Sequence, residues 1–274
     1  MATQDGPFIL SGQVCGLIFY SDKGKQYVRR KPTHVNQSEA TRESSGDFRT
    51  ANNAASMIHS AFKPMSSGVS DKGLYDRIRK TALDILYHTS PGVRGNRLLT
   101  DGNIACFTAI ELNKGALFSK LTSLSPEITI NPAADFSVRI PSMTPAACFN
   151  PPPNAVTAVL QFRCCVFHFD QKQSAFKQSQ PLPISLTASS FPGAEFSFPM
   201  KGAENSVLIV AAAIHFLHKE GYKIGDHQHL AGKFLKAVTI ADGQIITWHA
   251  PSSLPVAVTA AKLPDNSLPW HVNS

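Results

Sequence analysis

Three consecutive prolines, Pro151 to Pro153, divide this chain into a mixed first part and a second part that reads as strands alone. The segments after the prolines are rich in β-branched and aromatic residues and are separated by turn residues, a pattern typical of antiparallel sheets. Asp242-Gly243 predicts a hairpin with a type I′ turn between the last two segments. We therefore predict an Ig-like or jelly-roll-like β-sandwich at residues 154–250. The predicted strands are Val156–Phe169, Pro181–Ala188, Ala194–Phe198, Ser206–Leu217, Lys233–Ile240 and Gln244–Trp248.

The front of the chain, Gly12–Pro32, predicts a β-hairpin that ends in a basic cluster. Val14–Tyr20 is apolar at nearly every position, which indicates a strand that is covered on both faces or paired with another chain. Ser21–Gly24 supplies the turn, and Gln26–Arg30 returns as the second strand. Because an isolated hairpin is only marginally stable in water, we expect it to pack on the rest of the chain or on a partner.

Two helices and several short strands are predicted between the hairpin and the prolines. Apolar residues recur at three- and four-residue steps before Pro64 and again from Asp71 to Tyr87, which is the spacing of amphipathic helices. Ile104–Leu112 reads as a strand. The predicted fold class is α+β, with an N-terminal hairpin and two helices ahead of the sandwich. The predicted division is a basic hairpin and helical module at 1–100, connecting strands and a Pro-rich linker at 101–153, the sandwich at 154–250, and a C-terminal arm at 251–274.

Positive charge is concentrated in the first third of the chain. The formal net charge is +7, and residues 1–100 hold 14 basic and 8 acidic side chains, whereas residues 101–274 hold 12 and 11. A basic surface of this kind contacts nucleic acid, an acidic partner or an anionic surface, or is a solvated face without a partner. Charged residues make up only 16% of the chain, against about 25% in typical domains, which suits an extracellular protein or a subunit that buries surface in an assembly.

Five cysteines, an odd number without a C-x-x-C motif, argue against a disulfide framework or a zinc knuckle. We predict buried free thiols, with Cys106 in an apolar strand and Cys164 and Cys165 on opposite faces of another strand. The first residues lack the basic and apolar regions of a signal peptide, and Val207–Leu217 is too short to cross a bilayer. We therefore expect cytoplasmic synthesis without a signal peptide, and no membrane span.

The hairpin carries a recognisable spacing of residues, G-x-x-x-G-x-x-x-Y-x-x-x-G-K-x-Y-V-R-x-K-P, followed by Gln37–Thr41. This run resembles the opening of a family of Bacteroidota proteins of unknown function, which begin with a Gly-rich hairpin and an Ala/Ser-rich helix. The resemblance covers about the first 60 residues directly and the β-rich remainder only loosely. It implies a lineage and supplies no catalytic residues. The matching positions are Gly12, Gly16, Tyr20, Gly24, Lys25, Tyr27, Val28, Arg29, Lys31 and Pro32.

Histidines cluster in the second part of the chain, at His215, His218, His227 and His229. His227 and His229 share a face if their segment is extended, and they are the weak candidates for a metal site. A polar loop between strands explains the same residues without a metal. No cofactor is predicted.

A Gly-rich basic loop, Gly92–Arg97, follows the second predicted helix. It lacks the Lys-Ser/Thr pair of a P-loop and does not follow a strand. Arg94 and Arg97 can grip a phosphate or a carboxylate, or they belong to an ordinary surface loop.

No reaction motif stands out in the sequence, which contains neither a G-x-S-x-G nucleophile elbow nor an H-E-x-x-H metal helix. We therefore predict a structural, self-assembling subunit and not an enzyme. It is a homo-oligomer in which the hairpin adds a strand to a neighbouring subunit's sheet edge. A nucleic-acid-binding protein acting through the basic first third is the alternative, and a metal-dependent enzyme using the His cluster is the second. The predicted partner contacts are Tyr20, Tyr27, Arg29, Arg30 and Lys31.

Overall fold

The computed structural model places the chain in two compact units, Met1–Glu43 and Ser44–Ser274. We call them the N-terminal unit and the body. The boundary falls within the first helix. The structure describes residues 2–3, 10–22, 24–33, 36–66, 71–131, 135–199, 205–225 and 227–250. The predicted C-terminal arm, 251–274, lies outside the described residues.

The N-terminal unit is built on an antiparallel four-stranded sheet with the strand order β1-β4-β3-β2. The predicted hairpin is present as its two inner strands, but the prediction of one continuous strand over Val14–Tyr20 is wrong. Cys15 and Gly16 both have positive φ, 47° and 78°, and form a two-residue turn that joins Val14 to Leu17. Such turns match the twist of the flanking strands and favour glycine. The strands are β1 (Ala2–Thr3), β2 (Gly12–Val14), β3 (Leu17–Asp22) and β4 (Lys25–Arg30).

Two long helices, α1 (Glu39–Phe62) and α2 (Leu74–His88), form where the amphipathic spacing predicts them. Two short helices, α3 (Phe118–Leu121) and α4 (Pro145–Cys148), follow. The predicted strand at Ile104–Leu112 is wrong, because Ile104–Ala109 is a 3₁₀ helix. Its buried residues Ile104, Phe107 and Ile110 are three apart, which is the repeat of a 3₁₀ helix and not that of a strand.

The remaining strands of the body form two antiparallel sheets. The larger sheet has the order β13-β12-β11-β7-β8, with β9 also paired to β7, and the smaller has the order β10-β6-β5. The hairpin around Asp242-Gly243 is confirmed, and both turn residues have positive φ. The strands are β5 (Glu127–Asn131), β6 (Asp135–Ile140), β7 (Ala155–His168), β8 (Gln173–Gln178), β9 (Leu182–Ser185), β10 (Ala194–Pro199), β11 (Ser206–His218), β12 (Ala231–Ala241) and β13 (Gln244–Ile246).

The central strands of the larger sheet are covered on both faces. Alternate residues of β11 point to opposite sides, so Leu208 and Val210 join a core shared with the smaller sheet. Val207 and Ile209 join a second core with α1 and α2. This double coverage explains why β11 is apolar almost throughout.

Helix and strand account for 26% and 40% of the residues, which confirms the predicted mixed α+β class. The Ig-like or jelly-roll-like form of the sandwich stays a prediction.

Candidate functional site

The inner strands of the N-terminal sheet bring three of the five predicted partner contacts together. Tyr20 lies directly opposite Tyr27 across β3 and β4, and their rings stack at 5.7 Å with an angle of 26°. The Arg29 guanidinium lies 5.5 Å from the centre of the Tyr20 ring, within cation–π range. We call this the tyrosine face of the sheet. It also carries Ile18, which lies opposite Arg29.

The other face of the sheet is mainly aliphatic. Phe19 lies opposite Val28 on β4, and Leu17 lies opposite both Val14 on β2 and Arg30 on β4. We call this the aliphatic face. Arg30, predicted beside the tyrosines, therefore lies on the opposite side of the sheet.

The fifth predicted contact, Lys31, follows β4. Its backbone N–H donates to the Gly16 carbonyl at 2.7 Å, which ties the end of β4 to the turn between β2 and β3.

In the described residues, both faces of this sheet carry side chains that are partly or fully exposed. Among the described side chains of residues 10–22 and 24–33, none is buried. Leu10, Val14 and Leu17 are 47%, 51% and 39% exposed. A sheet is stable in water when one face packs on a hydrophobic layer, so the exposed apolar residues of the aliphatic face mark a surface that is suited to binding another protein.

The Gly-rich basic loop packs on the body side of α1. The buried Asp47 carboxylate accepts hydrogen bonds from the Gly95 backbone N–H at 3.0 Å and from Arg97 at 2.9 Å. Arg94 donates to the Ser44 hydroxyl. The two predicted phosphate-binding arginines thus both contact α1 from the loop, and the charge of Arg97 is balanced inside the protein by Asp47.

The predicted histidine cluster is spread over β11 and the segment that follows it. Burial, with a smaller contribution from Lys223, lowers the pKa of His215 to about 4. His218 stacks on Tyr222 with ring centres 4.6 Å apart. The backbone carbonyl of His227 accepts a hydrogen bond from Asn113 at 2.9 Å.

Within the described part of the chain, no three side chains of His, Cys, Asp or Glu come together as metal ligands. Asp226, which the sequence places beside His227, lies outside the described residues. The weak candidates His227 and His229 stay a prediction.

Three of the five cysteines do not lie where a buried thiol was predicted. Cys106 and Cys15 are exposed and Cys148 is half-buried, because Cys106 belongs to the 3₁₀ helix and Cys15 to a turn. Cys164 and Cys165 are buried in opposite cores as predicted. Burial raises the pKa of both thiols, that of Cys165 to about 12.

Two features of the body were missed by sequence reasoning. One is a cavity of about 560 Å³ between α1 and the end of the larger sheet, lined by Phe169 and Trp248 among others. The other is the edge strand β8, whose six residues are all exposed. The only sequence signal for β8 is the aromatic residue Phe176, in a polar segment that directly follows a long strand. Polar segments of this kind are also typical of loops, so the strand was not predicted.

Neither a protein-family model nor a curated protein matches this sequence. The resemblance of the first 60 residues to Bacteroidota proteins therefore stays a prediction. None of the helices in the described residues combines the length and the apolar character needed to cross a membrane.

Proposed function

We propose that this protein is a structural subunit that assembles with copies of itself through its N-terminal sheet, as part of a filament, tube or particle. One observation carries the proposal. The sheet presents aliphatic residues on one face and stacked tyrosines on the other, and none of its described side chains from residue 10 onward is buried.

Covering either face supplies a driving force for association. Burying a side chain such as Leu17 or Phe19 contributes about 1.5–3 kcal/mol. Association also costs several kcal/mol in lost motion, so a few such residues together are needed. The aliphatic face offers Val14, Leu17, Phe19 and Val28 in one patch.

The tyrosine face is suited to provide specificity. Tyrosine and arginine are enriched among the residues that dominate binding energy at protein interfaces. Tyr20, Tyr27 and Arg29 are already in mutual contact in the single chain. Such pre-organised side chains lose less freedom when a partner binds.

The exposed edge of the sheet supports strand addition. Among the described residues, no strand pairs with the outer side of β2. The two-residue turn makes Val14 and Leu17 a hydrogen-bonded pair, so the backbone groups of Gln13 point outward. An added strand gains backbone hydrogen bonds at this edge, and the alternating side chains set its register.

We infer that the body is a two-sheet sandwich with a helical layer on the outside of its larger sheet. The two cores and the long apolar strands β7 and β11 support this interpretation. A body with its own hydrophobic cores, together with a separate unit whose sheet has exposed apolar residues, suits a subunit that is repeated many times. If each subunit binds the next through different surfaces, the contacts propagate into a filament or a closed ring.

Deletion of Met1–Pro32 tests the proposal. We expect the shortened chain to stay monomeric at concentrations where the full chain associates, because the sheet is lost. Light scattering measures the mass. The fluorescence of Trp248, whose indole N–H donates to the Thr89 carbonyl within the body, reports whether the body remains folded. An unchanged particle size after the deletion contradicts the proposal.

Nucleic-acid binding is the second candidate function, and the tyrosine face favours it. Stacked tyrosines beside an arginine resemble the platforms on which the bases of single strands stack. Arg29 lies over Tyr20 in this way. The test is the affinity for a labelled single-stranded oligonucleotide at low and moderate salt. This candidate requires affinity that falls steeply with salt, and the absence of binding at low salt contradicts it.

A further inference from the structure

We propose that the edge strand β8 of the body is the surface that receives the β2 edge of a second copy. The inference rests on the proposed function, since it names the partner surface for the N-terminal sheet. It joins the four-stranded sheet of one copy to the larger sheet of the next.

The backbone of β8 is available for pairing. The strand ends the larger sheet, and no described strand pairs with its outer side. The Ser179 N–H donates to the Phe162 carbonyl of β7 at 2.9 Å. Along an antiparallel ladder, residues whose backbone groups bond to the neighbouring strand alternate with residues whose backbone groups point away from it. Ser174 and Phe176 therefore direct their N–H and C=O groups away from β7.

This edge also lacks the features that usually prevent pairing between proteins. Edge strands are commonly blocked by proline, by bulges or by clustered charges. The neighbouring edge strand β9 contains Pro183. By contrast, β8 holds six exposed residues in unbroken register with β7, no proline and one charge, Lys177.

A slot lies beside the edge, on the side that faces the smaller sheet. Its volume is about 430 Å³, and its lining is mainly apolar, with Phe136, Cys164, Ala175 and Pro199, but includes the charged Lys177. Phe136 and Cys164 belong to the core and are only 1% and 3% exposed. The slot therefore borders the core next to Ala175, and an apolar side chain on an added strand would fill it.

The opposite side of β8 offers an aromatic contact. Phe176 is 59% exposed, and the Arg163 guanidinium lies 4.7 Å from its ring centre. Arg163 donates to the Gln178 side chain and to the Ala61 carbonyl of α1. The ring is thus held in place while most of its surface remains uncovered.

The β2 edge of a second copy matches this surface. Val14 in β2 and Leu10, two residues before the strand, are both about half exposed. Gly12 lies between them and has no side chain to hinder close approach. With β2 paired to β8, one of these aliphatic side chains enters the slot beside Ala175.

In this assembly the copies are arranged head to tail. Each copy carries one β2 edge, which we call the donor edge, and one β8 edge, which we call the acceptor edge. A contact between two different surfaces leaves both ends of a dimer free to add further copies. The account therefore predicts growth beyond the dimer.

Two full-length proline variants test the pairing. Ser174→Pro removes an outward N–H from the acceptor edge, and Gln13→Pro removes one from the donor edge. Proline at outward positions of edge strands leaves the existing ladder intact. The matched controls Ser174→Ala and Gln13→Ala keep the N–H groups. Ala175→Phe fills the slot without altering the backbone and serves as a second acceptor variant.

We expect Ser174→Pro, Gln13→Pro and Ala175→Phe each to weaken self-association at least about tenfold, and the alanine controls to associate like the wild type. Mixing Ser174→Pro with Gln13→Pro should restore a 1:1 heterodimer and nothing larger, because one copy keeps its donor edge and the other its acceptor edge. Light scattering measures the masses, and unfolding transitions verify that the variants are folded.

The outcomes separate this inference from the proposed function. If both acceptor variants assemble like the wild type while the deletion of Met1–Pro32 does not assemble, the N-terminal sheet binds elsewhere and β8 is not its partner. If the two proline variants are monomeric both alone and mixed, the pairing of β2 with β8 is also overturned. A wild-type protein that stays monomeric contradicts the proposed function itself.

Discussion

Asp47 shows how a single residue changes the meaning of a sequence motif. The Gly-rich loop with Arg94 and Arg97 suggests anion binding when it is read alone. In the structure, the anion bound by this loop is a side chain of the protein itself. The Asp47 carboxylate accepts hydrogen bonds from both the Gly95 N–H and the Arg97 guanidinium. Sequence spacing could not show this, because Asp47 and Arg97 are 50 residues apart.

Replacement of Asp47 by asparagine should destabilise the body. The side chain of Asp47 is fully buried and that of Arg97 is 20% exposed. Removing the negative charge leaves Arg97 without its counter-ion, and breaking a buried pair costs roughly 3 kcal/mol. Urea unfolding measures the loss. Arg94→Ala, at an exposed hydrogen bond, serves as the control with an expected loss below about 1 kcal/mol. Equal losses in the two variants contradict this account of the loop.

His215 makes the stability of the body depend on pH. Its pKa is about 4 in the folded protein, against 6.5 as the ordinary value, because of burial and, to a lesser extent, Lys223. Between these two values the unfolded chain binds more protons than the folded one. The free energy of unfolding therefore falls as the pH is lowered from about 6.5 towards 4.

The variant His215→Gln should lose less stability than the wild type between about pH 7.5 and about pH 5, since glutamine has no proton to bind. Urea unfolding at the two pH values gives the comparison. His249→Gln, at an exposed histidine, is the matched control and should behave like the wild type. The prediction is wrong if His215→Gln and the wild type lose the same stability on acidification.

At the scale of elements, the contact between α1 and the basic loop depends on Gly46. A Cβ atom at this position would lie 2.4 Å from the Gly95 carbonyl oxygen. The Gly95 carbonyl belongs to the backbone, and the Cβ atom would be bonded directly to the backbone of α1, so neither can move aside without shifting the loop or the helix. Gly46→Ala should therefore destabilise the body by about 1–3 kcal/mol, although alanine is the better helix former by about 1 kcal/mol.

Thermal or urea unfolding of Gly46→Ala checks this expectation. Gly225→Ala provides the control, because no atom of the described residues would lie within 4 Å of a Cβ at that position, and its stability should change by no more than about 0.5 kcal/mol. A Gly46→Ala variant that is as stable as the wild type would show that the loop does not pack on α1 as described.

The elements with a strong local signal were predictable from the sequence. The repeats of α1 and α2, the apolar runs of β7 and β11, and the Asp-Gly hairpin all carry their own periodicity or turn residues. The failures lie where the local signal is ambiguous. Cys15-Gly16 is a turn hidden in an apolar run, and Ile104–Ala109 is apolar enough to pass for a strand when its three-residue spacing is overlooked.

The candidate site was only partly predictable for a related reason. The sequence placed Tyr20, Tyr27 and Arg29 in one hairpin, and the structure brings them into contact. The sequence did not predict β8, because an exposed edge strand needs no apolar pattern of its own.

At the scale of the whole molecule, the chain combines a small unit without buried side chains in its described sheet residues and a body with two hydrophobic cores. Among the described residues, the buried apolar side chains all lie in the body, whereas the sheet of the N-terminal unit has none. This asymmetry is the observation on which the proposed function rests.

The most direct test of this account is the mass of the intact protein as a function of concentration, measured by light scattering and followed by negative-stain imaging. The account predicts masses that exceed the 29.6 kDa of one chain and rise with concentration beyond a dimer, with filaments, tubes or rings in the images. A mass of one chain at every concentration, in low and in moderate salt, would contradict it.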